Sequence, residues 1–357
     1  MSAMYPSRVL RMACLTAGAL LASAFALGAC GDDDTASTPT GSCAPEDPAC
    51  PGLGSPCLAL TDNSGKDAFA LRLAQLTVTK PESLTTNFVA ALISDGVNAN
   101  LPACNLPGMG SFSFMVVFDK ATDTLTLGGA YPEQDPTDGY CFVEDPQNQV
   151  APIDVKANLQ SDGSFSTDAI DRLVVPIFID TTGTDAVYLP LRQARIAGAQ
   201  LSEDQNCVGS FNAEGLRPEE NCAPFPERGD NYFVNGGELD GFVVLEEADA
   251  ITVDLAKQSL CVLLSGNVDT YGDGNTNGVE RCARDGEGKI VLEGDWCSTT
   301  NSEGGCRDSF KLQGGVAASA ATVRTSGCPM GGTGGGAQGG AGQGGGAQGG
   351  SGGQGGG

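Results

Sequence analysis

The 357-residue sequence contains no histidine and only one tryptophan. The missing imidazole excludes Ser-His-Asp and Cys-His catalytic arrangements, histidine-bound zinc and the zinc-protease helix motif. The sequence also lacks a Walker loop and a Gly-x-Gly-x-x-Gly turn that opens a helix after a strand. It therefore carries no local signal for phosphate or dinucleotide binding.

Basic residues are few, with 19 lysines and arginines against 44 aspartates and glutamates, for a formal net charge of −25. Contacts to nucleic acid or to anionic lipid headgroups need lysine and arginine, so this composition argues against both partners. We expect a solvated acidic surface, and a specific cationic partner is the alternative.

Aromatic residues make up only 6% of the sequence, whereas sugar-binding platforms are usually aromatic. Carboxylates are abundant, and a glycosidase needs only two of them at a suitable separation. Sequence alone does not bring two distant carboxylates together. An extracytoplasmic carboxylate-dependent hydrolase, for example on glycans, therefore stays open as the alternative to a non-catalytic protein.

The N-terminal stretch has the parts of an export signal. Arg8 and Arg11 form a positive region before an apolar run over residues 12–26, which is shorter than the roughly 20 residues of a membrane-spanning helix. The tetrapeptide Leu-Gly-Ala-Cys follows, ends at Cys30, and resembles the lipobox of bacterial lipoproteins. This resemblance covers residues 1–30 only. It implies that the Cys30 thiol is diacylated, that everything before it is removed, and that several acyl chains hold the protein stably on a membrane.

An ordinary secretory signal, cut near Ala26 or Ala29 with Cys30 free to pair, is the alternative to the lipobox. Gly31 follows the cysteine. In enterobacterial lipoproteins an aspartate at that position retains the protein at the inner membrane, so the resemblance favours the outer membrane. It thus implies a lipid-anchored protein of the cell envelope.

The sequence contains fourteen cysteines. Cys14 leaves with the signal segment and Cys30 takes the lipid, so an even number remains to pair in an oxidising compartment. No Cys-x-x-Cys is present, and thiolate zinc sites and thioredoxin-type redox motifs are therefore poorly supported. Spacing leaves the connectivity open, but short separations favour two local bridges, Cys207–Cys222 and Cys297–Cys306.

Composition divides the chain into four segments. Residues 1–29 form the signal peptide and residues 30–57 an acidic, Pro-rich tether, which has too little apolar sequence to offset the entropy of ordering it. Residues 58–328 form the disulfide-bonded, β-rich body, as one domain or two. Residues 329–357 are rich in glycine and are expected to be a disordered random coil.

Hydrophobic alternation with a period of two dominates the body and is typical of half-buried strands. Phe114, Val116 and Phe118 alternate cleanly, and a return strand after a turn predicts a hairpin. We therefore predict a mainly β fold, an antiparallel β-sandwich-like body with one or two short helices.

A few local patterns qualify that fold. Residues 71–78 predict a strand with an irregularity in its middle, and residues 81–94 repeat apolar side chains at helical spacing. Residues 260–264 predict the end of a short helix, whereas residues 251–255 alternate like a strand. Pro176 interrupts a continuous apolar run and predicts an edge or bulged strand there.

One local pattern carries a metal-binding mechanism. Asp273, Asn275 and Asn277 match the first, third and fifth ligand positions of a calcium loop, and Glu280 is a further candidate ligand. The stretch resembles the first half of EF-hand or dockerin-type loops, but Arg284 stands where the bidentate glutamate is expected. A weak calcium site and a solvated turn rich in Asn and Gly both stay open.

Together these patterns predict a lipid-anchored cell-envelope protein with a non-catalytic binding or structural role. Its predicted partners are the membrane, through the anchor, and a protein or envelope polymer. Calcium is the single cofactor that the motifs suggest.

Overall fold

The computed structural model describes residues 41–86, 88–225, 228, 231–265 and 278–329. This part of the chain is mainly antiparallel β-sheet with four short helices and six disulfide bridges. The predicted mainly β, disulfide-bonded body is confirmed, although the helices exceed the one or two expected.

The elements have the following bounds. The strands are β1 (Ala68–Lys80), β2 (Asn100–Leu101), β3 (Leu106–Pro107), β4 (Ser113–Asp119), β5 (Thr124–Ala130), β6 (Ile153–Lys156), β7 (Ser164–Phe165), β8 (Ile170–Phe178), β9 (Ala186–Ala197), β10 (Ala199–Gln200), β11 (Cys207–Val208), β12 (Ser210–Phe211), β13 (Leu216–Arg217), β14 (Ala223–Pro224), β15 (Phe233–Val234), β16 (Gly237–Val244), β17 (Thr252–Val253), β18 (Gln258–Ser259) and β19 (Ser309–Ala320). The helices are α1 (Ser83–Thr86), α2 (Phe88–Val97), α3 (Leu245–Ala250) and α4 (Leu260–Ser265).

Nine of these strands form one large sheet. Its order is β6-β5-β4-β1-β19-β16-β9-β8, and β11 also pairs with β19. The central pairing joins β1 to β19, strands more than two hundred residues apart in the sequence, in antiparallel register. The other short strands form two-residue pairs in the connecting loops.

The inner face of this sheet carries the main hydrophobic core. Phe114, Val116 and Phe118 on β4 all belong to that core, as their alternation predicts. The predicted irregularity in β1 is present as a shift of register between Leu73 and Gln75. This shift returns the later apolar residues of β1 to the inner face, because a single extra residue reverses the side to which side chains point.

The predicted hairpin is formed by β4 and β5, which pair from Ser113↔Ala130 to Asp119↔Thr124. Three phenylalanine rings pack together in the core near this turn. The rings of Phe69 and Phe118 stack with centroids 4.6 Å apart, and Phe165 meets Phe118 edge-on at 5.1 Å. Aromatic contacts of this geometry stabilise beyond the apolar area that they bury.

Pro176 lies on β8, the last strand of the sheet, which confirms the predicted edge strand. Its ring packs against Gly129 of β5, where an added Cβ would lie only 2.4 Å from the ring carbons. Since proline has no N–H to donate, β8 contacts β5 at this point without continuing the ladder. The sheet thus curls until its two ends touch, which makes it nearly closed.

The helix predicted over residues 81–94 occurs as two helices, α1 and α2, and the second extends to Val97. Leu84 and Ile93 from these helices pack into the core of the sheet. The hydroxyl of Ser83 donates to the carbonyl oxygen of Leu264 at 2.6 Å and thereby ties α1 to α4.

The strand predicted over residues 251–255 is confined to Thr252–Val253, which pairs with Gln258–Ser259. The helix α3 just before it lacks a sequence signal of its own. Leu245 and Ala248 on this helix are buried in the core, so packing decides the structure of this short segment.

Six disulfides connect all twelve cysteines that the structure describes: Cys43–Cys222, Cys50–Cys104, Cys57–Cys207, Cys141–Cys328, Cys261–Cys282 and Cys297–Cys306. The predicted Cys297–Cys306 bridge is confirmed. The predicted Cys207–Cys222 bridge is wrong, because Cys207 and Cys222 each pair with a cysteine of the N-terminal segment. Three bridges therefore fasten residues 43–57 to the body.

Candidate functional site

The curled sheet encloses a cavity of about 90 Å³. Its wall consists of apolar side chains from strands that are distant in the sequence. The lining includes Leu73, Leu76, Val78, Leu84, Ile93, Phe114, Leu173, Ile177, Leu189, Ile196, Leu239, Val316 and Ala318. Apolar cavities in proteins stay dry and accept small apolar molecules.

One part of the wall is a row of paired residues across four neighbouring strands. Val78 pairs with Gly314, Gly314 with Leu239, and Leu239 with Ile196. Val78, Leu239 and Ile196 are half-buried, so solvent reaches this part of the wall. A Cβ at Gly314 would lie 2.8 Å from the Thr77 carbonyl oxygen, which is closer than side chains normally approach.

The described lining contains one charged residue, Arg195, and one polar one, Gln313. Ala194 and Ile196, the neighbours of Arg195, both belong to the inner core. Because side chains alternate along a strand, the Arg195 guanidinium points away from the cavity. It pairs with Asp240 at 2.8 Å. This arrangement can bind apolar groups but offers no acid, base or nucleophile to them.

A second, polar cleft of about 950 Å³ is formed by the loops that follow β4, β6 and β10. Its charged residues are Lys120, Asp123, Asp162 and Glu203. Asp162 accepts hydrogen bonds from the hydroxyl and the N–H of Ser164 at 2.7 and 3.0 Å. These bonds hold the pKa of Asp162 below its ordinary value, whereas a general acid needs a raised pKa.

The neighbouring carboxylates also have structural partners. The side chain of Asn206 donates to Asp204 at 2.9 Å and accepts from the N–H of Asn63 at 2.7 Å. Hydrogen bonds from the Ser202 and Ser64 hydroxyls lower the pKa of Asp204 and of Asp62, respectively. The ionised carboxylates of Asp62 and Asp204 thus accept hydrogen bonds that hold their loops in place.

Glu133 is the carboxyl group with a raised pKa in the described part of the chain, and burial is the main cause. Its carboxylate forms an ion pair with Arg324, near the C-terminal end of the body. The pair joins two segments that are distant in the sequence, so it fits a structural role.

The predicted lipidation and metal residues fall mostly outside the described residues. Cys30 lies there, as do Asp273, Asn275 and Asn277. Glu280 is described, and its carboxylate accepts a hydrogen bond from the Gln258 side chain at 2.8 Å. The calcium loop therefore stays a prediction.

Arg284 has a structural reason to stand where a calcium loop would need glutamate. Its guanidinium contacts the carboxylates of Asp249 at 2.7 Å and Glu246 at 2.8 Å. Asp249 is only 2% exposed and also accepts from the Ser259 hydroxyl at 2.8 Å and the Cys282 N–H at 2.9 Å.

The Asp249 carboxylate lies close to the sulfurs of Cys261 and Cys282. Both sulfurs are joined in a disulfide, so this group is a buried hydrogen-bond centre and leaves no thiolate for a metal. The sequence offered no signal for Asp249, because the helix α3 that carries it has no sequence pattern of its own. No sequence pattern pointed to its partners.

The ionisable groups predict a stability that is independent of pH around neutrality. Asp62, Asp162 and Asp204 have lowered pKa values, so their stabilisation is complete above about pH 4 and is lost as the pH falls through the folded values. Burial raises the pKa of Tyr140, and burial with the Asp145 hydrogen bond raises that of Tyr188 to about 12. Their contribution is complete below about pH 10 and is lost as the pH rises further.

Histidine and free cysteine are the side chains that ordinarily titrate between about pH 4 and pH 10. The sequence contains no histidine, and all described cysteines are paired in disulfides. We expect the free energy of unfolding in urea to change by less than about 0.5 kcal/mol between about pH 7 and pH 9. A steady slope across that interval would contradict this account.

Comparison with family models, with curated proteins and with solved structures finds no match to this chain. Among the described residues, no helix is long and apolar enough to span a membrane.

Proposed function

We propose that this chain is a lipid-anchored protein of the bacterial cell envelope, on the outer membrane, that binds a small apolar group inside its curled sheet without changing it chemically. The apolar cavity is the observation that supports the proposed binding. The lipobox that ends at Cys30 supports the anchored half, and the even number of paired cysteines fits an oxidising compartment.

The cavity favours an apolar ligand because of what lines it. An uncharged alkyl group gains about 0.8 kcal/mol for each CH₂ that it buries, and the apolar wall offers it contacts without a competing polar partner. A charged headgroup would find no partner among the described side chains that point inward. The end of an alkyl chain is the chemical group that fits best.

Xenon is a suitable probe. Apolar cavities of about 150 Å³ bind both xenon and benzene, and for the smaller cavity of this protein we choose xenon because it is a single atom. We expect xenon under pressure to shift the methyl resonances of lining residues, in a saturable way. Ala318→Leu, which adds carbon atoms on the inner face of β19, should abolish the shifts.

The matched control is Lys156→Leu, which adds a leucine at an exposed position of β6 and should leave xenon binding intact. Circular dichroism would verify that both variants fold. Shifts that persist in Ala318→Leu, or that are absent from the parent protein, would contradict binding in the cavity.

The anchor gives a separate prediction. Cys30→Ala should release the protein from membranes and block removal of the signal peptide, because the thiol that takes the lipid is gone. Cys14→Ala is the matched control, since this cysteine lies within the signal segment and should leave processing unchanged. Membrane fractionation with gel mobility measures both, and unchanged partition of Cys30→Ala would refute the anchor.

A further inference from the structure

The Cys297–Cys306 bridge differs from the others in its exposure to solvent. Ten of the twelve described cysteines are buried, with exposures of 9% or less, and Cys328 is half-buried. Cys306 is the one that is exposed within the described chain. An incoming thiolate must reach a disulfide sulfur directly, so access decides which bridge reacts.

The backbone around Cys306 leaves open space for an approaching molecule. Gly304 precedes it by two residues, and a Cβ added there would meet no atom within 4 Å. Gly305 has a φ of +111°, a conformation that other residues rarely adopt. A Cβ at Gly305 would lie 3.3 Å from Sγ of Cys297, so the open space is on the Gly304 side of the loop. The Thr299 hydroxyl is also close, 3.8 Å from Sγ of Cys306.

Cys297 is suited to be the sulfur that leaves. It is only 1% exposed, so attack at this sulfur is blocked. The Thr299 hydroxyl lies 3.3 Å from its Sγ and can donate a hydrogen bond to a thiolate that forms there. Asp308 lies within 4.8 Å of both sulfurs, and its negative charge disfavours a lasting thiolate, so the bridge tends to re-form.

The loop that this bridge closes is short, and other contacts also hold its base. The bridge spans a sequence separation of 9, against 150 for Cys57–Cys207. The base of its loop is held independently by two hydrogen bonds between the backbones of Trp296 and Ser309, at 3.0 and 3.1 Å. Opening the bridge therefore releases a short surface loop and leaves β19 in place.

From these observations we propose that Cys297–Cys306 is a thiol-exchange site that reacts with small thiols at Cys306. The thiolate sulfur of the incoming molecule attacks Sγ of Cys306 and forms a new S–S bond. The Cys297–Cys306 bond breaks, and its electron pair stays on Sγ of Cys297 as a thiolate. Return attack by that thiolate on Cys306 releases the small thiol, so no other oxidant or reductant takes part.

The charge of the surroundings selects among small thiols. Glu303 lies in the same loop with 74% of its side chain exposed and pairs with Lys80 at 3.5 Å. Arg307, next to Cys306, pairs with Glu293 at 3.5 Å. Because these local charges balance in pairs, the selectivity rests on the net charge of −25 of the chain as a whole. A field of this sign concentrates cations and repels anions. The preferred reactant is a positively charged thiol, with cysteamine favoured over the anionic glutathione.

The test exposes the oxidised protein to cysteamine, quenches with acid at increasing times, and locates adducts by mass spectrometry of peptides. We expect the adduct at Cys306 to form at least ten-fold faster than at any other cysteine. The variant with both Cys297→Ala and Cys306→Ala should show no early adduct while remaining folded by circular dichroism. An adduct that appears first at Cys328 or at Cys297 would overturn the proposal.

A second measurement tests the charge selectivity. At equal thiolate concentration and low salt, cysteamine should react several-fold faster than glutathione, and high salt should reduce the difference. Glu303→Gln should also reduce it, because it removes the carboxylate that balances Lys80, whereas Glu287→Gln, an exposed glutamate of another loop, should not. Equal rates for the two thiols in the parent protein would overturn the assigned preference.

Discussion

Loss of the Cys57–Cys207 bridge is expected to lower the free energy of unfolding by about 4 kcal/mol. Cys43–Cys222 stays closed when this bridge is removed, so the loop that Cys57–Cys207 closes runs through that bridge and contains about 30 residues. Removal of Cys57–Cys207 therefore gives the unfolded chain a gain in conformational entropy. Both cysteines are also buried, at 0% and 2% exposure. The variant with Cys57→Ala and Cys207→Ala therefore loses buried sulfur atoms as well as the cross-link.

Urea denaturation of the oxidised proteins measures this effect. The matched control is the variant with Cys297→Ala and Cys306→Ala, whose bridge spans a separation of only 9 and should cost less than about 3 kcal/mol. Equal losses in the two double variants would show that loop length does not govern the stabilisation.

Asp249→Ala is expected to destabilise the protein by about 2–5 kcal/mol, because two buried donors lose their acceptor and each such loss costs about 1–3 kcal/mol. The substitution removes the acceptor for the Ser259 hydroxyl and the Cys282 N–H. It also takes one of two carboxylates away from Arg284. Buried donors left without acceptors cost much more than exposed ones.

Glu246→Ala provides the control, because Glu246 binds the same Arg284 from a side chain that is 52% exposed. Exposed ion pairs contribute at most about 1 kcal/mol, so this variant should remain close to the parent in its melting temperature. Asp249→Asn keeps the size of the side chain and isolates its charge. Similar losses for Asp249→Ala and Glu246→Ala would contradict the importance of burial.

Local patterns in the sequence predicted the local parts of the fold. The alternation of Phe114, Val116 and Phe118 identified the β4–β5 hairpin, and Pro176 identified an edge strand, because each pattern depends on a few adjacent residues. The pairing of β1 with β19 has no such signal, since it joins residues such as Leu71 and Ala320.

The same distinction explains the two outcomes for the local disulfides. Cys297–Cys306 closes a turn and is local. Cys207 lies on β11, which pairs with β19, and this position is next to the N-terminal Cys57 rather than to Cys222. A short separation in sequence favours a bridge only where the fold does not bring a third cysteine closer.

The cavity had no counterpart in the sequence predictions. Leu76, Leu189 and Val316 all line it, yet each lies in an ordinary alternating strand and is individually a core residue. The cavity forms because several such side chains together leave part of the space between the curved strands unfilled. The metal prediction, in contrast, rested on one contiguous stretch, which is why it could be stated from sequence.

The bridges of the N-terminal segment also determine how a mechanical pull would enter the protein. A tension applied at residue 41 reaches Cys43 first and passes through its sulfur to Cys222, then through Cys50 to Cys104 and through Cys57 to Cys207. The load is divided among three covalent links before it arrives at β1, in the middle of the sheet. The pull therefore does not act directly on the first residue of β1, and the three bridges oppose the unzipping of that strand.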